Sequence, residues 1–141
     1  MVRAGDKLSD VLMCPLNFHD GEVLKLILDR RGPTVTVDVL LTNLSATKYE
    51  TLPPGEERPH LVTLRFDGVE DLQLADFNHQ NVIQELVLTQ EEGRLKVEVP
   101  SLFGADFSLT CTDAEIVGIR PTTMLTGHPQ DPHNVADFGD S

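Results

Sequence analysis

The chain has 141 residues, with 23 Asp and Glu against 11 Lys and Arg, for a formal net charge of −12. A field of that sign repels nucleic acid and anionic membranes and attracts cationic surfaces, so the partner it favours is a basic protein. One domain's worth of chain with 40% hydrophobic and 24% charged residues excludes wholesale disorder, and the acidity comes from an imbalance of sign rather than an excess of charge.

In chain order, Leu8-Ser9-Asp10-Val11-Leu12-Met13 carries a short apolar stripe stopped by Pro15 and is expected to be the one helix, packed on a sheet. From there on apolar residues recur with period two, the signature of strands with one face on a core. Residues Glu22 to Arg30 form a strand in which Leu24, Leu26 and Leu28 share a face, although Val23 and Ile27 leave the alternation mixed. Arg31-Gly32-Pro33 breaks it. Val35, Val37, Val39 and Leu41 then alternate with Thr34, Thr36, Asp38 and Thr42, completing a hairpin.

Residues Ala46 to Pro59, rich in Pro and Glu, read as an exposed loop. Val62, Leu64 and Phe66 turn inward opposite Thr63, Arg65 and Asp67. Gly68 permits a bend before a short strand at Leu72 and Leu74, and Asn78-His79-Gln80-Asn81 is a polar turn or one helical turn. Val82 to Thr89 reads as a strand, Glu91-Glu92-Gly93 as a turn with a left-handed glycine, and Leu95, Val97 and Val99 as its return. Phe107, Leu109 and Cys111 and then Ala114 to Ile119 supply the last two of about eight strands, a count taken from the period-two pattern.

The expected architecture is mainly β, or β-rich α+β. Antiparallel sheets form a sandwich or a strongly curved sheet, with one short N-terminal helix. Residues 1–120 make a single domain, and 121–141, rich in Pro, Gly, Asp and His, a loosely ordered tail. No apolar run reaches the roughly 20 residues of a membrane helix, and the start lacks the apolar stretch of a secretory signal, so the expected location is the cytoplasm.

Residues able to carry chemistry are few. Cys14 and Cys111 are far apart and read as buried, reduced thiols. His19, His60, His79, His128 and His133 lack the spacing of a zinc site, so no metal or other cofactor is expected. There is no nucleophile elbow and no phosphate loop, and a chain without Trp and with one Tyr offers little to stack nucleotides. No catalytic residue is expected. Two minor alternatives stay open: a β-sandwich binding a small ligand, and a hydrolase using carboxylates of the 67–76 segment.

What remains is the acidic surface. Asp20 and Glu22, then Asp67, Glu70, Asp71 and Asp76, the loop acids Glu56 and Glu57, and Glu91 and Glu92 either form a patch or are scattered. If clustered they steer a cationic partner, with Phe77 as an apolar anchor; a core or near-core place is the other reading of Phe77, as it is of Phe18 and Phe66.

Three blocks in this order carry a resemblance. Phe18-His19-Asp20-Gly21-Glu22 leads into the first strand, Leu64-Arg65-Phe66-Asp67-Gly68-Val69 follows, and then Leu74-Ala75-Asp76-Phe77-Asn78-His79-Gln80-Asn81-Val82-Ile83. Together, over about residues 16–120, they resemble the Immunity protein 50 family of bacterial polymorphic toxin systems. The resemblance implies a small cytoplasmic protein, without enzymatic activity or cofactor, that binds and blocks a cognate toxin domain. Asp20, Glu22, Asp67, Glu70, Asp71, Asp76, Phe77, Glu91 and Glu92 are the contact residues expected from charge, against a toxin with a basic surface.

Overall fold

A computed structural model describes residues 4–9, 18–41 and 59–122. Its strands are β1 (Glu22–Asp29), β2 (Thr34–Leu41), β3 (His60–Asp67), β4 (Glu70–Ala75), β5 (Val82–Ile83), β6 (Val87–Glu91), β7 (Arg94–Val99), β8 (Ser101–Phe103), β9 (Asp106–Cys111) and β10 (Asp113–Pro121). All pair antiparallel. They form a six-stranded sheet in the order β10-β3-β2-β1-β5-β8 and a four-stranded sheet in the order β4-β9-β7-β6. The expected β architecture is therefore present. The expected strand over Val82 to Thr89 is two strands, one in each sheet, and β8 is an element the periodicity did not announce. Among the described residues no helix is long and apolar enough to cross a membrane.

The register shows how alternation builds the interior. In the six-stranded sheet, Val23-Val39-Val62-Ile119, Leu26-Val37-Leu64-Ile116 and Leu28-Val35-Phe66-Ala114 are cross-strand rows on one face. Leu88-Val97-Leu109 is the corresponding row in the four-stranded sheet. Buried residues of both sheets join in one apolar cluster, as a sandwich requires. The mixed alternation of β1 has a cause: a bulge between Val23 and Lys25 makes Leu24 the extra residue. Val23 and Leu26 thus face the core, and Leu28, near the hairpin end, is largely exposed.

The chain changes sheet at nearly every connection after β3, and the connections gather at two ends. At one, Gly68 (φ +64°) turns β3 into β4, with Val69 N–H donating to Pro33 O at 2.9 Å and Thr112 N–H to Asp67 O at 2.8 Å. At the other, Asn81 organises the turn. Its Oδ1 accepts the amides of Asn78 and Ala105, each at 2.9 Å, while Nδ2 donates to Asn78 O at 2.7 Å and Val23 O at 3.3 Å. Its main-chain carbonyl accepts from Val23 N–H at 2.8 Å. Every hydrogen-bonding atom of this buried carboxamide is matched, which is the condition under which a polar group stabilises an interior.

Leu8, which begins the expected helix, is fully buried in the core. The rest of that helix from Asp10 onward, most of the expected 46–59 loop, and the tail from residue 123 lie outside the described residues. Gly5–Lys7 lie along the β10 edge, Gly5 N–H donating to Ile116 O and Ile116 N–H to Asp6 O at 2.6 and 2.9 Å.

Two results test this packing. A Cβ on Gly104 (φ +73°) would stand 2.3 Å from Gln80 O and 2.4 Å from Asn81 Oδ1. Gly104→Ala and Asn81→Ala are each expected to cost on the order of 3 kcal/mol in urea unfolding, through overpacking at a left-handed residue and through orphaned buried groups respectively. Cys111 is fully buried, and desolvation of its thiolate pushes the pKa up to about 11. Burial favours the neutral thiol, so at pH 8 only about one thiol in a thousand is ionised. In a Cys14→Ser background, disulfide-exchange labelling of Cys111 should be slow in the native protein at pH 8, quicken as pH approaches 11, and be fast in urea.

Candidate functional site

The FHDGE block is built as a structural corner. Phe18 is in the core, and His19 Nδ1 donates to Gln84 O at 2.6 Å. Asp20 takes φ +68°, and its N–H donates to Ile83 O at 2.9 Å. Gly21 has no room for a side chain: a Cβ would lie 2.8 Å from Leu41 Cδ2 and 3.0 Å from Val39 Cγ1. Glu22 sits across from Leu40, which in turn pairs with Leu61, and all three are buried. At 4% exposure Glu22 is not a displayed carboxylate, so it is corrected from an outward contact to an interior residue.

The remaining charge-predicted residues do not form one patch. β4 runs from the Gly68 end to the Asn81 end, and they divide between the two. Asp67, Glu70, Asp71, Glu91 and Glu92 lie at the Gly68 end, Asp71 and Glu92 as left-handed residues with φ +56° and +48°. Asp20, Asp76 (φ +63°) and Phe77 lie at the Asn81 end. Phe77 is 50% exposed, which settles its place outside the core, unlike Phe18 and Phe66.

Electrostatics separate the two ends. At the Gly68 end cations answer five of the acids, Asp29, Asp67, Glu70, Asp113 and Glu115. Arg31 Nη2 meets Asp29 at 2.8 Å, Arg65 contacts Asp67 at 3.4 Å and Glu115 at 2.6 Å, Lys7 Nζ meets Asp113 at 2.6 Å, and Arg94 lies 3.6 Å from Glu70. The side-chain hydrogen bond from Arg31 lowers the Asp29 pKa, and that from Lys7 to Asp113 raises the lysine's. Asp67, Asp113 and Glu115 bring carboxylate oxygens within 4.8 Å of one another. Arg65 and Lys7 already serve these acids, so the cluster is an ion-pair network that fastens the N-terminal segment to β10 and β3.

At the Asn81 end the segments 18–24, 74–86 and 99–107 contain no Lys or Arg, while Asp20, Asp76, Glu85 and Asp106 are exposed there. Phe103, 65% exposed, and Leu102 belong to these segments, as do the exposed Phe77 and Leu74. Sequence reasoning missed Leu102, Phe103 and Asp106. The signal that marks them is the run 97–119 without a basic residue, which follows the similar run 66–93.

The alternatives leave clear traces. Asp67 and Asp76 bracket β4 and face opposite ends, so the carboxylates of that segment do not converge on a cleft. A cavity of about 300 Å³ lies on the outer face of the six-stranded sheet rather than between the sheets. Its lining is Lys25, Ile27, Thr36, Asp38, Thr63 and Arg120, with Thr63 Oγ1 donating to Asp38 Oδ1 at 2.6 Å. It is open to solvent, unlike the deep, enclosed pocket a small-ligand sandwich would offer.

No curated protein matches the chain. Among solved structures it is similar to an uncharacterized protein from Neisseria gonorrhoeae, at 13% identity over 76% of this chain and 97% of that one, with a TM-score of 0.45. The family model described as Immunity protein 50 matches residues 5–122, further toward the N-terminus than the quoted blocks and so taking in the Gly5–Lys7 edge contact and buried Leu8. The three blocks that suggested this relationship are the corners where the chain enters or changes sheets, and the match extends over nearly all the described residues: the chain belongs to the Immunity protein 50 family.

Proposed function

We propose that this protein neutralises a cognate toxin of a bacterial polymorphic toxin system by binding its toxic domain one to one in the cytoplasm, blocking it by occupancy rather than by chemistry. The observation that carries the reading is family membership over residues 5–122. The net charge of −12 supports a partner with a basic surface, because opposite potentials accelerate encounter and disfavour wrong partners. The fold supports occlusion as the mode of action: a sandwich with a shared apolar core presents its corners as fixed shapes, and a fixed shape loses little conformational entropy on binding.

The test uses the toxin domain encoded by the reading frame adjacent to this chain's own gene. An equimolar amount of this protein should abolish that domain's activity, with a one-to-one complex by calorimetry. The association rate should fall as ionic strength rises from about 50 mM to about 500 mM, since screening shortens the reach of the acidic field. Undiminished toxin activity without a complex contradicts neutralisation, and a salt-independent association rate confines the acids to solubility.

A further inference from the structure

Exposed large apolar side chains are concentrated. Leu74, Phe77, Leu102 and Phe103 belong to two short segments, 74–77 and 102–103, and only Ile27 and Leu28, at the β1 hairpin end, lie elsewhere among the described residues. The two segments are held together. Ala75 and Asp106 are cross-strand partners, as are Val82 and Phe103, and the amides of Asn78 and Ala105 share the Asn81 Oδ1 acceptor. Ser101 Oγ also donates to Gly104 O at 2.9 Å, closing the β8 turn. Phe77 and Phe103 are thus solvent-facing aromatics on backbone that the Asn81 carboxamide fixes.

Half-exposed Phe on rigid turns is an uncommon way to finish a soluble surface and a common way to make a binding anchor, since the side chain gains area in the complex and the backbone has little freedom left to lose. The charge around these residues says what kind of surface fits. Asp76 and Asp106 flank the aromatics, and the segments that carry them hold no Lys or Arg. At the Gly68 end Asp29, Asp67, Glu70, Asp113 and Glu115 are already paired with Arg31, Arg65, Arg94 and Lys7, so a basic partner gains less from those acids.

We infer that the toxin docks on the Asn81 end of the sandwich, with Phe77 and Phe103 entering an apolar recess bordered by Lys or Arg side chains that meet Asp76 and Asp106. This rests on the neutralisation reading and adds the face and the chemistry of the contact to it.

The experiment is calorimetry of full-length variants against the toxin domain from the adjacent reading frame, with sedimentation of each variant alone. Phe77→Ala and Phe103→Ala should each weaken binding by about 30-fold or more, the scale of an interface hot spot. Asp76→Asn with Asp106→Asn should slow association at low salt. The Ile27→Ala, Leu28→Ala pair, equally exposed but at the other end, should bind as the unaltered protein does. All these positions are exposed, so the unfolding midpoints should stay close to that of the unaltered protein.

If the unaltered protein binds and the Phe77→Ala and Phe103→Ala variants bind equally well, the docking face is wrong while neutralisation stands. A loss in the Ile27, Leu28 variant instead moves the interface to the hairpin end. Self-association that the Phe substitutions abolish, with toxin affinity unchanged, assigns the patch to a second copy of this chain. Failure of the unaltered protein to bind overturns both inferences.

Discussion

One buried carboxamide sets the geometry at the end of the sandwich where exposed aromatics collect. Asn81 accepts two main-chain amides and donates to two main-chain carbonyls, so a single side chain ties the turn after β4 to the start of β1 and to the β8–β9 turn. Those elements come from different sheets, and the atoms concerned are withdrawn from water. A missing partner would leave a buried polar group unsatisfied, and that asymmetry of cost makes a matched network rigid. Gly104 completes the arrangement by leaving out the Cβ that would strike Gln80 O and Asn81 Oδ1.

From that constraint the surface follows. The sheets meet through aliphatic rows contributed by alternate residues, which leaves polar residues and the sheet-changing corners to face solvent. Phe77 follows the end of β4 and Phe103 closes β8, so both aromatics stand exposed where the chain leaves a strand. The two ends differ in charge because Arg31, Arg65, Arg94 and Lys7 sit at one and supply ion pairs, each of modest worth at partly exposed sites. At the Asn81 end Asp20 has His19 within 3.5 Å, and the segments that carry Asp76, Glu85 and Asp106 hold no Lys or Arg. A strongly negative chain therefore has an asymmetric surface even though its acids are spread along the sequence.

The strands were legible wherever burial on one face imposed period two. β2, β3, β7 and β9 alternate in the structure as they do in the sequence, and Glu92-Gly93 makes the hairpin turn that its residue types specify. Legibility failed where tertiary context overrides periodicity. The β1 bulge shifts Leu24 out of the ladder, and no local pattern marks it. β5 and β8 are too short to show a period, and the chain's passage between sheets at residues 84–86 and at Pro100 is a property of the fold. The same limit applies to the surface. Asp20 and Glu22 are two residues apart, but one is displayed and the other buried, and the polar run Asn78 to Asn81 hides the most buried polar amide of the region. Family blocks were recognisable because corners demand particular residues, such as Gly21 and Gly68, for geometric reasons unrelated to which partner is bound.

The most direct test of a rigid, acidic, aromatic-tipped end that receives a toxin is amide hydrogen exchange of this protein with and without the toxin domain encoded beside it. Slowed exchange should concentrate in residues 74–77 and 102–106, leaving the outer face of the six-stranded sheet around Lys25, Thr36 and Thr63 unchanged. Protection confined to that outer face, or to the Arg94 and Gly68 end, would contradict it.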